Sequence, residues 1–241
     1  MPVGFQVATR TPFYNVVSFV EATDQGRAGC KRYRFPGKFW GFLFESPVSG
    51  RIKRAMVTDA PPRKKNRQLF TESDGLNTLR LPPDDTLQKI AKGIEAAMKT
   101  GRTKEVLQVS AEFLDTASDF YQVKHCNVRV FAARPLRVRE RSTIELFGDY
   151  NPNTILIRVW MKTALRKEVT SFGTFLSTLC HEFCHHLDFQ RFPDSWHTRG
   201  FYERTASLYH HARGTPQKRL IWIPIPGRRW RIDWPRTNRM G

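Results

Sequence analysis

From Phe172 to Leu187 the residues Phe172, Phe175, Leu176, Leu179, Cys180, Phe183 and Leu187 recur at helical spacing and cover most of a helix's circumference. A helix apolar on nearly every face belongs in a core, so the rest of the chain has to be wrapped around it. Thr170 and Ser171 offer a cap at its start, and Phe192-Pro193 a stop at its end. Yet this segment also carries His181, Glu182 and His185. Polar groups in such a place are costly unless something binds them.

Their spacing is H-E-x-x-H, the pattern of zinc hydrolases. Residues four apart lie one above the other on a helix, so His181 and His185 can aim at a single ion. Glu182 is turned about 100° from His181, which keeps its carboxylate out of the coordination shell but near a water held there. This assigns His181 and His185 as metal ligands and Glu182 as general base. A fortuitous match is the alternative.

A catalytic zinc site usually takes three protein ligands and leaves its fourth position open. The metzincin extension fails, because Asp188 stands where its glycine would be and Arg191 where its histidine would be. His197 is the favoured third ligand, at the start of a second helix marked by Phe201, Thr205, Leu208 and Tyr209; Glu203 is its rival. His186 faces another direction and reads as a supporting or surface histidine. His210 and His211 read as solvated, and Cys180 and Cys184 as small apolar residues. Asp188 reads as an acceptor that orients a ligand histidine, with a helix-end cap or a pair with Arg191 as alternatives. Arg199, Tyr202 and Tyr209 lie near the third ligand in sequence, and nothing favours one of them as oxyanion stabiliser.

The run from Phe175-Leu176 to His185, followed by His197 and Phe201-Tyr202-Glu203-Arg204, resembles the SprT-like zinc metallopeptidases. Thr198 stands where that family has a glycine after the histidine, and Gly200 comes two positions later. The resemblance spans roughly residues 125 to 212, and its specific part is the two helices. It implies a compact zincin-type fold with Zn²⁺ on His181, His185 and His197, and Glu182 as base. Many such proteins also carry a four-cysteine zinc ribbon, whereas the cysteines here are Cys30, Cys126, Cys180 and Cys184 with no C-x-x-C pair.

Upstream, Val128–Phe131, Thr143–Phe147 and Thr154–Met161 read as strands, with a turn over Gly148-Asp149-Tyr150-Asn151-Pro152-Asn153. Before them Leu87, Ile90, Ile94 and Met98 mark a helix closed by Gly101, and Val106 to Tyr121 a second. The expected architecture is therefore α+β: a small antiparallel or mixed sheet packed on the H-E-x-x-H helix and a second helix. Zincins that the family resembles pair an edge strand with the substrate backbone, and one of these strands is expected to do so here. Residues 84–212 form the expected metallopeptidase domain, 1–83 a basic and aromatic N-terminal extension, and 213–241 a basic Trp/Arg/Pro-rich tail.

Net charge is +18, with basic residues concentrated in the flanks, as in Arg51-Ile52-Lys53-Arg54, Arg63-Lys64-Lys65 and Arg228-Arg229-Trp230-Arg231. Such flanks attract polyanions, so DNA or RNA is an expected partner, with Trp222, Trp230 and Trp234 available for base stacking. No apolar run is long enough to span a bilayer, and few, unpatterned cysteines suit a cytoplasmic protein. The resulting expectation is a zinc metalloprotease acting on protein or peptide, with nucleic-acid-associated proteins as candidate targets. A basic nucleic-acid-binding protein with a structural or vestigial metal, and a hydrolase of non-peptide amides, are the alternatives.

Overall fold

A computed structural model describes residues 14–22, 28–36, 40–46, 56–138, 143–164 and 166–239, with side chains described in 56–135, 146–164 and 166–239. The basic run Arg51–Arg54 lies outside the described residues. The chain divides into two compact units, Met1–Phe39 and Trp40–Gly241. In the first, strands β1 (Tyr14–Ala22) and β2 (Ala28–Pro36) form an antiparallel hairpin.

The second unit is α+β. Its elements run β3 (Trp40–Ser46), α1 (Arg67–Gly75), α2 (Thr86–Thr100), α3 (Thr103–Tyr121), β4 (Asn127–Ala133), β5 (Leu136–Val138), β6 (Thr143–Asn151) and β7 (Leu156–Lys162). They continue with α4 (Phe172–Arg191), α5 (Arg199–Arg213), β8 (Trp222–Ile225), β9 (Arg229–Ile232) and the short α6 (Trp234–Arg239). The main sheet is five-stranded in the order β3-β6-β7-β4, with β5 also paired to β6. It is mixed: β3, β5 and β7 lie antiparallel to β6, whereas β4 is parallel to β7. β8 and β9 form a separate hairpin.

Alternation along β7 explains how the sheet meets the helices. Ile157, Val159 and Met161 are fully buried in the main core cluster, while Arg158 and Lys162 are half-buried on the other face. There Arg158 spans to Asp149 on β6 through two hydrogen bonds, Nε–Oδ1 at 2.7 Å and Nη2–Oδ2 at 2.6 Å. Against the core face lies α4, whose Phe175, Leu176, Leu179 and Phe183 are at most 1 % exposed. Each such side chain contributes about 1.5–3 kcal/mol on burial. The helix is capped as expected, by Ser171 Oγ accepting from the amide of Thr174 at 3.2 Å.

The turn expected over 148–153 is displaced. β6 continues through Asn151, and the chain reverses at 152–155, with Ile155 in the left-handed region at φ 49°. Gly148 therefore lies inside a strand, and the reason is α4. A Cβ on Gly148 would come within 2.5 Å of Thr178 Cγ2 and 3.1 Å of Glu182 Cγ, so the glycine lets the helix rest on sheet backbone. Nearby the β3–β6 register slips, Phe42 facing Gly148 and Leu43 facing Leu146, which leaves Phe147 as the extra residue of a β-bulge. Among the described residues, no helix is long and apolar enough to cross a membrane.

Candidate metal centre

His181 and His185 project from α4, and His197 comes from the loop between α4 and α5. The three ring centroids form a nearly equilateral triangle with sides of 4.8, 5.0 and 4.9 Å. His181 Nε2 lies 3.0 Å from His197 Nε2 and 3.2 Å from His185 Nε2. For Zn–N bonds of 2.0–2.1 Å, tetrahedral geometry sets ligand nitrogens about 3.3 Å apart. Phe201, fully buried in the first turn of α5, abuts all three rings at 4.9, 4.5 and 5.3 Å and closes the cluster on its apolar side.

Protonation fits the same use. Burial holds His181 and His185 well below the ordinary imidazole range, and neighbouring imidazoles add repulsion. For His185 the tautomer follows from its partners. Ser195 Oγ donates to Asp188 Oδ2 at 2.8 Å, so at its 2.8 Å contact with His185 Nδ1 it must accept. The proton of His185 is thus on Nδ1, and Nε2 presents a lone pair to the other two rings. Converging lone pairs at this separation need a cation or shared protons between them, and a three-imidazole donor set suits a transition-metal ion. The residues present fit a metal.

Behind the three histidines is a buried charge network. Asp188 and Arg204 form an ion pair at 2.7 Å with side chains 0 % and 4 % exposed. Burial pushes the Asp188 carboxyl up, opposed by Arg204 and by the hydroxyl of Ser195. Arg204 also donates to the carbonyl of Leu76 at 3.0 Å. Asp188 thus reaches His185 through the hydroxyl of Ser195. Arg191, the other partner considered for it, pairs instead with Glu72 at 2.5 Å.

α5 starts where the end of α1 holds it. Thr198 Oγ1 accepts from the amide of Phe201 at 3.1 Å, capping the helix. Gly200 has no room for a side chain: a Cβ there would meet the carbonyls of Ser73, Leu76 at 2.6 Å and Asp74 at 2.9 Å. Arg199 donates its amide to Asp74 at 2.9 Å and grips the same carboxylate with its guanidinium, which lies 4.6 Å above the Trp230 ring.

The remaining polar residues fall elsewhere. Among the described residues the metal-competent group is His181, His185 and His197, without Glu203. Glu203 accepts from Trp222 Nε1 at 3.1 Å and faces the C-terminal hairpin. His186 is fully buried: Nε2–H donates to the carbonyl of Lys124 at 2.7 Å and Nδ1 accepts from Tyr150 Oη at 2.9 Å, so it ties α4 to the sheet and is not a surface residue. His210 and His211, expected in solvent, are half-buried. Cys126, Cys180 and Cys184 are free and buried, and burial pushes the Cys184 thiol up to about 11. Of the three residues weighed for the oxyanion, Arg199 is held by Asp74, Tyr209 accepts from Arg213, and Tyr202 stacks on His197 with its hydroxyl toward the carbonyl of Val57. The rings of Trp222, Trp230 and Trp234 are half-buried in the fold, whereas Arg228, Arg231, Arg236 and Arg239 are exposed.

Glu182 is fully buried, with its Oε1 3.1 Å from where a Cβ of Gly148 would stand, so it lies between α4 and β6. Ser195, Arg204, Asp59 and Gly148 all support the site without having been singled out for it in sequence. Asp59 accepts from the amide of His197 at 2.9 Å from 138 positions upstream, a separation no local pattern can reveal. No protein-family model matches the chain, and no curated protein or solved structure matches it either.

Proposed function

We propose that the protein is a zinc-dependent metallopeptidase of SprT-like type. The observation that carries this reading is the convergence of His181, His185 and His197 with Glu182 one helical step away, between helix and sheet. Three imidazoles with a fourth position left open is the donor set of catalytic zinc. A divalent ion bound there supplies Lewis acidity toward a scissile carbonyl and acidifies a water beside it.

The chain's own groups do the rest. His185 is held as the Nδ1–H tautomer by Ser195 and Asp188, so its Nε2 stays available. Glu182 takes the proton of the attacking water on its carboxylate and passes it to the nitrogen of the leaving amine. Phe201 and the apolar surface of α4 keep bulk water from the back of the cluster. β3 is an edge of the main sheet, with its Phe42 opposite Gly148 of β6, and its outer backbone groups can pair with an extended peptide.

Nucleic-acid-associated proteins are the substrates we favour. A net charge of +18 and the exposed Arg228, Arg231, Arg236 and Arg239 support contact with a polyanion. A reducing, cytoplasmic setting suits the three free thiols.

Glu182→Gln tests the mechanism. It keeps the shape of the side chain and is expected to retain stoichiometric zinc while cutting cleavage of a protein substrate about 10²–10⁴-fold. A variant as active as wild type would sink the assignment of the base. Absence of zinc from the purified wild type would sink the reading itself.

A further inference from the structure

His197 differs from the other two ligands in what holds it. It lies outside both helices, so no helical backbone fixes its direction. Its main chain is clamped instead by Asp59: the amide of His197 donates to Asp59 Oδ2 at 2.9 Å, and the amide of Asp59 donates to the carbonyl of His197 at 2.9 Å. The same carboxylate oxygen lies 3.6 Å from His197 Nδ1. With an ion held on its Nε2, which faces His181, the His197 ring would carry its proton on Nδ1, toward that carboxylate. Closing 3.6 Å to a hydrogen bond takes a displacement of well under about 1 Å.

Asp59 is itself anchored from the far end of the chain. The amide of Thr58 donates to the carbonyl of Trp230 at 2.8 Å, and the amide of Trp230 returns a bond to Thr58 Oγ1 at 2.9 Å. The amide of Ile232 donates to the carbonyl of Met56 at 3.2 Å, and Val57 bridges Arg231 in antiparallel fashion. Residues 56–59 are thus an added strip on β9 whose last residue grips the ligand loop. From the other side Tyr202 stacks on the His197 ring, 5.8 Å between centroids and 20° between planes.

We infer that Asp59 is the positioning residue of the third metal ligand, and that β9 sets its place. The inference rests on the reading of His181, His185 and His197 as a metal site. A carboxylate accepting from the far nitrogen of a ligand histidine fixes its tautomer and orientation, and loss of such a partner typically weakens metal binding 10–100-fold.

The test uses the full-length protein and zinc itself, with affinity read by competition against a chromophoric chelator. Asp59→Asn keeps an acceptor for the amide of His197 but removes the carboxylate. It is expected to bind zinc about 10–100-fold more weakly and to shift the visible ligand-field bands of the Co²⁺-substituted protein, with the metal-free thermal midpoint unchanged. Thr58→Val, which touches no ligand and removes only the acceptor for Trp230, should weaken zinc in the same direction by less. Asp74→Asn is the comparator, since it likewise keeps an acceptor for a backbone amide, that of Arg199, and removes a carboxylate at the start of α5 with no candidate ligand involved. Wild-type zinc affinity and Co²⁺ spectrum in Asp59→Asn would overturn the proposal. So would an equal loss in Asp74→Asn, which would mean general loosening of the α5 start. Either result leaves the metal site standing if wild type binds one zinc per chain, whereas a wild type that binds none removes both.

Discussion

Two ligands of the candidate metal centre and the third are held in opposite ways. His181 and His185 are at most 1 % exposed on a helix locked by the core, and the buried hydroxyl of Ser195 links His185 to a buried ion pair. His197 has a side chain 17 % exposed, stands in a loop, and is gripped by an aspartate from a strip that belongs to the chain's two flanks. The first pair costs no ordering when an ion binds, because folding has already fixed it. The third ligand depends on tertiary hydrogen bonds that can open without unfolding the core.

This contrast can be broken at its rigid end first. Arg204→Met leaves the Asp188 carboxylate buried without its cation, and removal of one partner of such a pair typically costs about 3–5 kcal/mol. Urea unfolding of the metal-free protein should show that loss, and a change below about 1 kcal/mol would mean that the core does not depend on this pair. Ser195→Ala is next. It strips the hydroxyl between Asp188 and His185, and a buried acceptor left unsatisfied costs about 1–3 kcal/mol. Unlike Asp59→Asn, it should lower both the urea midpoint and zinc affinity, because on this side ligand and core share partners.

Acid separates the sides further. His181, His185 and His186 are all held below the ordinary imidazole pKa in the fold, chiefly by burial. Below about pH 6.5 the unfolded chain therefore binds protons that the folded one does not, so stability is full above that pH and erodes as pH falls. The metal-free protein should show a lower urea midpoint at pH 5.5 than at pH 7.5, and a flat profile would contradict the burial of these rings. The smallest effect belongs to Tyr150→Phe. Removing the donor to His186 should cost about 1 kcal/mol and leave zinc affinity unchanged, since that histidine serves the sheet. A matching loss of zinc affinity would show that the two adjacent histidines are not independent.

The residues around α4 were legible because their logic is local. Helical spacing, the cap at Ser171 and the four-residue offset of His181 and His185 are all properties of one segment. His197 could be placed by its position before α5, while the exclusion of Glu203 needed Trp222, which binds its carboxylate from the C-terminal hairpin. Gly148 and its neighbours carry turn chemistry, yet they form strand because a helix presses on the glycine from outside the segment. β3 was hidden for a related reason. Trp40-Gly41-Phe42-Leu43-Phe44 lacks the alternation of a half-buried strand, and its partner β6 lies about a hundred positions later. The strip 56–59 has no signature at all, since its bonds go to residues 197 and 230–232.

At Gly148 the spacing between α4 and the sheet is gauged by backbone instead of by interlocking side chains. Side-chain contacts drift when a core is repacked by mutation, but a peptide plane has one thickness. The height of Glu182 above the sheet is thereby insulated from substitutions among the surrounding Leu, Phe and Val residues. The reach of its carboxylate is a dimension that the rest of the core can vary without disturbing.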